Sequence, residues 1–325
     1  MKSIVENFDL FAPKLVDKEE YYSQGHRACQ GCGEALAIRL MAKALGKDTV
    51  VTNATGCMEV TATPYPTTAW KLPWVHVAFP NSASVGAGVE SALKALRRKG
   101  KIADRDVKVV SIGGDGGSFD IGFQAISGAM ERGHNMIYIV YDNEAYMNTG
   151  IQRSGGTPYG ASTTTAPAGK ASVGNTTWKK NMAEIMVAHR VPYVATATHS
   201  YPIDFMNKVK KARKVNGPAF IHCLAVCPTG WRCPSETCIK MARLAVETGV
   251  FPLYEVEDGK YKFSPDNPRK LRPIEDYLKP QGRFRHLTPD QINIFRELAM
   301  TEYNKVLEKV KHSKSWSEMK SYSVK

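Results

Sequence analysis

The chain has 325 residues, 43% of them hydrophobic, enough to bury one large α/β core with appendages or two smaller ones. Lys and Arg exceed Asp and Glu by 44 − 31 = 13, which suits an acidic partner. The basic residues are scattered without an aromatic-interleaved motif, though, so nucleic acid is not expected. The start, "MKSIVENFDLFAPKLVDKEE", is charged early, and no run of about 18 apolar residues occurs. The expectation is a soluble, cytoplasmic protein with no secretory signal and no membrane span.

In chain order, "GEALAIRLMAKALG" (33–46) places apolar residues at helical spacing and ends on Gly46. "DTVVTNATGC" predicts a buried strand running into a loop, and "VHVAFPNS" an extended segment before the small-residue helix "ASVGAGVESALKALRRKG". "VKVVSIGG" and "NMIYIVYDNEAY" predict buried strands, separated by the helix "FQAISGAMERGH". Residues 151–178 are rich in Gly, Ser, Thr and Pro and predict a long functional loop. "MAEIMVAHRV", "YVATATH", "IDFMNKVKKARKV" and "PAFIHCLAV" continue the alternation as helix, strand, helix and strand. The fold class is α/β, a parallel sheet with helices on both faces. From about 253 the chain is charged and Pro-punctuated and ends in a basic helix near 288–311. This predicts a division into a 1–252 α/β domain and a 253–325 subunit-packing extension.

"SIGGDGGSFD" (111–120) puts glycines around Asp115 at the carboxyl end of a strand, where open parallel sheets bind ligands. Neither G-x-G-x-x-G nor G-K-[ST] is present. A bare carboxylate beside phosphates would repel them unless a cation lay between, so Asp115 points to Mg²⁺ bound to a diphosphate. Asn143 lies 143 − 115 = 28 residues later, one strand–helix–strand unit away, and with a carbonyl near Ala145 could complete an oxygen shell. A G-D-G followed at this distance by Asn resembles the signature of thiamine diphosphate enzymes. The bland alternative makes Asp115 and Asn143 ordinary turn residues.

Seven cysteines without a secretory signal point to metal, cluster or redox work. Cys29 and Cys32 form a C-x2-C, Cys57 follows, and "CLAVCPTGWRCPSETC" carries Cys223, Cys227, Cys233 and Cys238. The lack of a second C-x2-C knuckle tilts toward a [4Fe–4S] cluster. Cys223 is expected to be an inert strand thiol. Cys233 and Cys238 are adventitious, or they complete a zinc site with Cys223 and Cys227. A zinc-stapled, basic, nucleic-acid-binding protein is the alternative from another functional class.

The set "GHRACQGCGEALA", "ATGCMEV", "TAWKLPWVHVAFPN", "GGDGG", "YDNEAYMNTGIQRSGGTPYGA", "CPTGWR" and "RLAVETGVFPLYEVEDG" resembles the beta subunits of pyruvate:ferredoxin oxidoreductases, over roughly residues 20–285. "KLRPIEDYLKPQGRFRHL" looks like the C-terminal extension of the same chains. The resemblance implies the diphosphate-binding half of a thiamine diphosphate enzyme plus a C-terminal extension. It implies that Cys29, Cys32, Cys57 and Cys227 ligate a [4Fe–4S] cluster beside the thiazolium ring. Gly114, Asp115, Gly116 and Gly117 would hold diphosphate and Mg²⁺, Gly117 through its backbone only, with Asn143 and the Ala145 carbonyl completing the metal. Gly31, Glu34, Cys57, Tyr146, Met147 and Asn148 would contact the cofactor, and Glu34 and Asn148 would serve catalysis, Asn148 toward the 2-oxo acid. The implied reaction converts pyruvate and CoA to acetyl-CoA and CO₂ and sends single electrons through the cluster to ferredoxin. Sister enzymes acting on oxalate, branched-chain 2-oxo acids or indolepyruvate are the runner-up. Gamma and delta subunits, or their equivalents, are implied partners. An alpha subunit is expected to supply the carboxylate for the pyrimidine ring, since Glu34 and Glu59 lie beside Cys32 and Cys57.

Overall fold

Along the strand Met136–Asp142, Met136, Tyr138 and Val140 join one apolar core, while Ile137, Ile139 and Tyr141 join another. Side chains on a strand alternate between faces, so a strand buried on both sides must lie between two layers. The computed structural model describes residues 10, 12–64 and 66–315. The first nine residues of the N-terminal stretch and the last ten of the basic tail lie outside the described residues.

The strands are β1 (Thr49–Ala54), β2 (Trp74–Val77), β3 (Lys108–Gly114), β4 (Met136–Asp142), β5 (Ala168–Gly169), β6 (Ser172–Val173), β7 (Tyr193–Thr198), β8 (Ala219–Leu224), β9 (Tyr254–Glu257) and β10 (Lys260–Phe263). The helices are α1 (Gly33–Leu45), α2 (Cys57–Ala62), α3 (Ser82–Arg98), α4 (Phe123–Glu131), α5 (Met182–Ala188), α6 (Pro202–Lys214), α7 (Pro228–Trp231), α8 (Cys238–Glu247), α9 (Glu275–Leu278) and α10 (Pro289–His312). One eight-stranded sheet has the order β10-β9-β7-β8-β4-β3-β1-β2. From β7 to β2 every pairing is parallel. The carboxyl ends of these strands therefore share one edge, and that edge carries Gly114, Asp142 and Leu224.

One face is covered by α1 and α6, through Ile38, Met41, Leu45, Phe205 and Val209. The other is covered by α3, α4 and α5, through Ala83, Ala87, Ile126, Met130, Met182 and Met186. The small residues of α3 have a packing reason: a side chain on Gly86 would strike the Ser111 hydroxyl of β3. Gly46, at φ 73°, stops α1, as its position in the sequence predicts. Among the described residues no helix is long and apolar enough to cross a membrane.

Three features differ from the sequence reading. The segment after β1 winds into the short helix α2 rather than staying a loop. Gly116–Asp120 forms a π-helical turn, a form that often marks functional sites. The division drawn at 252/253 falls inside the sheet, because β9 pairs antiparallel with β7 through Tyr193–Glu257, Val194–Val256 and Ala195–Glu255. Val306 of α10 likewise enters the core beside β4.

Lys208 of α6 ties this added edge to the parallel sheet. Its ammonium is buried and donates to Thr196 O at 2.7 Å, Asp204 Oδ2 at 2.6 Å and Ser264 Oγ at 2.7 Å. Lys208→Met would leave Asp204 without its buried cation. Removing one member of a buried pair costs roughly 3–5 kcal/mol. Urea unfolding followed by circular dichroism should show a loss of about that size, and a loss below about 1 kcal/mol would contradict this role.

Candidate active site

A cleft opens at the carboxyl edge of the sheet, where open parallel sheets bind ligands. Its floor is the β3 exit, Gly114 to Gly117, and one wall is the β4 exit, Asn143 and Ala145 to Asn148. Parallel pairing sets Gly114 of β3 opposite Tyr141 of β4, which brings Asp115 and Asn143 to neighbouring strand ends. Cys57, at the start of α2, forms part of the opposite wall.

The glycines are required by aromatic rings as well as by space for a ligand. A Cβ on Gly116 would lie 2.5 Å from the Tyr146 ring, on Gly114 3.2 Å from the Tyr141 ring, and on Gly117 3.3 Å from Phe79. The Tyr146 ring packs against Phe79 with centroids 5.7 Å apart, and its hydroxyl donates to Asp120 Oδ2 at 3.0 Å. Larger residues in this turn would push the rings into the cleft.

Asp115 is fully buried. Its Oδ2 accepts from the Ser154 hydroxyl, while its Oδ1 has no partner among the described residues. Burial first, and then the Asp142 charge, push its carboxyl well above the ordinary carboxylate range. A cation at the bare oxygen would reverse that balance. Behind it, Glu34 is also buried. Its Oε1 accepts from Asn143 Nδ2, and its Oε2 has no partner among the described residues. Burial, assisted by Asp142 and opposed by the Asn143 bond, pushes Glu34 up to about 8. The Tyr141 hydroxyl, also buried, lines the same cleft. Asp142 differs: despite burial, Lys179 and His222 hold its carboxyl below the usual range, with His222 Nε2 at 2.7 Å. The structure thus separates two adjacent acids, one matched by cations and one left bare.

Three of the predicted cysteines start helices. Cys32 precedes α1, Cys57 opens α2, and Cys227 precedes α7, where its sulfur accepts the Gly230 N–H at 3.3 Å. Helix starts favour thiolate. The Gly33 N–H donates to Val226 O at 3.0 Å, which joins the first and last of these segments. Burial first raises the Cys57 thiol, and Glu34, Cys227, Cys32 and Cys29 act on it in the same direction. Burial likewise pushes Cys227 up to about 11. Cys29 is exposed. Among the described residues no three His, Cys, Asp or Glu side chains approach closely enough to clasp a single ion.

Gly31 and Glu34 stand back from the cleft wall. Gly31, at φ 72°, packs on the Ser235 backbone. Cys223 is buried inside β8. Cys233 is half-buried, and the Cys238 sulfur lies 3.3 Å from His199 Nε2. Sequence reasoning missed Thr55, Gly56, Phe79, Tyr141 and Thr149 as lining residues, and Ser154 as the partner of Asp115. Phe79 and Tyr141 stand at the ends of predicted extended segments, which is the signal that could have found them. Ser154 offers no such signal beyond its place in the long loop.

Residues 54–223 match the family of thiamine pyrophosphate enzymes, C-terminal TPP binding domain. Pyruvate synthase subunit PorB of Methanocaldococcus jannaschii is 58% identical over 276 residues, spanning 85% of this chain and 92% of that relative. Ketoisovalerate oxidoreductase subunit VorB of Pyrococcus abyssi is 49% identical over 289 residues, spanning 89% and 93%. Among solved structures, the 2-oxoglutarate:ferredoxin oxidoreductase of Magnetococcus marinus, with 2-oxoglutarate, coenzyme A and succinyl-CoA bound, shares the fold. Its TM-score is 0.54 at 21% identity, over 70% of this chain and 81% of that one. The chain belongs to the family of thiamine pyrophosphate-binding oxidoreductase subunits that contains PorB and VorB.

Proposed function

We propose that this chain is the thiamine diphosphate-holding subunit of a pyruvate synthase, and that its cleft and its four cysteines act as one unit. The observation that carries this is Glu34, whose carboxylate accepts from Asn143 of the cleft and lies two residues from Cys32. The higher identity to PorB than to VorB, 58% against 49%, favours pyruvate over a branched 2-oxo acid. Family membership removes the reading as a zinc-stapled nucleic-acid binder.

The bare Oδ1 of Asp115 fits a cation, and the glycine turn beside it fits a diphosphate. Asp115, Asn143 and the Ala145 carbonyl would hold Mg²⁺, and the Gly114–Gly117 backbone would hold the diphosphate. Thiamine diphosphate, when bound, supplies the electron sink that lets a 2-oxo acid lose CO₂. Tyr146, Met147 and Asn148 border the space beside it, Asn148 toward the substrate. Glu34, buried beside the cleft wall, would hold the Asn143 side chain through its carboxylate. Cys29, Cys32, Cys57 and Cys227 would hold a [4Fe–4S] cluster through which electrons leave singly. Coenzyme A as acyl acceptor, ferredoxin as electron acceptor, alpha, gamma and delta subunits, and action in the cytoplasm belong to the same proposal. So does the subunit-packing role expected of the C-terminal extension, residues 253–325.

Three outcomes are expected. Asp115→Ala removes the charged metal ligand, a loss worth roughly 3–5 kcal/mol. Thiamine diphosphate retained after desalting, measured by thiochrome fluorescence, should fall at least about a hundred-fold in a complex that still folds. Unchanged retention would sink the assignment. Iron analysis separates the late cysteines: Cys227→Ser should lower cluster content and Cys223→Ser should not, and the reverse would overturn the choice. Finally, the chain purified by itself with Mg²⁺ and thiamine diphosphate should not reduce viologen with pyruvate, because Glu34 and Glu59 lie beside Cys32 and Cys57 and the carboxylate for the pyrimidine ring is expected from an alpha chain. Activity should return with an alpha chain, and turnover without any partner would refute a shared site.

A further inference from the structure

We infer that Glu144 is a positioning residue for the metal side of the cleft, and that Arg283 and Lys179 clamp it in place. This rests on reading the cleft as a metal–diphosphate site. Glu144 lies between Asn143 and Ala145 and has φ 69°, a left-handed conformation that non-glycine residues rarely adopt and that clusters at functional sites. The bend it makes ends the extended line of β4 and leaves both Asn143 and Ala145 bordering the cleft.

Every polar group of Glu144 is held. Its N–H donates to Asp142 Oδ1 at 2.9 Å, and its carbonyl accepts from Thr157 Oγ1 at 2.7 Å. Its carboxylate is fully buried, with Oε1 accepting from Lys179 Nζ at 2.7 Å and Oε2 from Arg283 Nη2 at 2.5 Å. Arg283 is itself buried, braced by Gln281 Oε1 at 2.9 Å, with its guanidinium 3.9 Å from the centre of the Trp231 ring. The Trp231 indole N–H donates to the Asn143 carbonyl at 2.9 Å. Arg283 and Trp231, stacked on each other, therefore grip two successive residues of the turn. A glycine would reach this φ without help. A glutamate needs the two cations, and one of them comes from the C-terminal segment, 139 residues away in sequence. Metal affinity is thereby coupled to the seating of a segment that touches no metal.

The test uses the assembled complex carrying variants of this chain. The readout is the Mg²⁺ concentration at which half of the thiamine diphosphate survives desalting, with a melting curve for each variant. Glu144→Ala should raise that concentration at least ten-fold. Glu144→Gly, equally stripped of its carboxylate but free to adopt the turn, should lie nearer the wild type. Arg283→Met should act like Glu144→Ala, and Arg283→Lys, which keeps a cation and is the milder variant for folding, should raise it less. A role in stability alone would lower melting temperatures without moving the Mg²⁺ dependence, and that result overturns the inference. So does a Glu144→Gly variant no better than Glu144→Ala. A wild-type complex that holds thiamine diphosphate without any divalent metal would instead overturn the metal reading beneath it.

Discussion

Asp115 sits at the end of a central strand, fully buried, with Ser154 satisfying one oxygen and none of the described residues satisfying the other. A buried carboxylate in that state costs several kcal/mol unless a cation or a proton meets it. Much of the surrounding architecture is arranged to leave that oxygen bare. The aromatic rings of Tyr141, Tyr146 and Phe79 fill the space that side chains at Gly114, Gly116 and Gly117 would need. Gly156 brings the long loop so close that a side chain there would lie 2.9 Å from Asp115 Oδ2. Lys179, Arg283 and Lys180 are engaged with other acids: Lys179 with Glu144 and Asp142, Arg283 with Glu144, and Lys180 with Asp120 at 2.8 Å.

The same sheet edge explains how the cleft and the segments carrying Cys32, Cys57 and Cys227 come to lie at one end of the sheet. Parallel strands deliver their exits side by side, so loops far apart in sequence converge. The β1 exit brings Cys57, the β3 exit Asp115, the β4 exit Asn143 and the β8 exit Cys227, while α1 begins at the same edge with Cys32 just before it. Glu34 spans the two halves because the second residue of α1 reaches Asn143.

The elements of residues 33–224 were legible because buried parallel strands are apolar runs and their helices carry a 3.6 period. The pairing of Asp115 with Asn143 was legible for a related reason: one strand–helix–strand unit has a nearly fixed length. Other parts had no local signature. Helix α2 is six residues long, too short to display a period. Strands β9 and β10 are four residues each and mix charged with apolar residues amid prolines, which reads as a loop until an edge of the sheet accepts them. Ser154 on Asp115, His222 on Asp142 and Arg283 on Glu144 are contacts across 39, 80 and 139 residues, and tertiary pairings of that kind leave no pattern in the chain. The family resemblance supplied the cysteine set, which spacing by itself left open between a cluster and zinc.

The central claim is that one pocket holds both the metal–diphosphate and an iron–sulfur cluster, with Glu34 between them. Anomalous diffraction at the iron edge, from anaerobic crystals of the assembled complex grown with Mg²⁺ and thiamine diphosphate, tests it directly. The account predicts iron peaks enclosed by the sulfurs of Cys29, Cys32, Cys57 and Cys227, and diphosphate density over Gly114–Gly117 with a metal on Asp115. Iron absent from those four sulfurs, or diphosphate density away from Asp115, would contradict it.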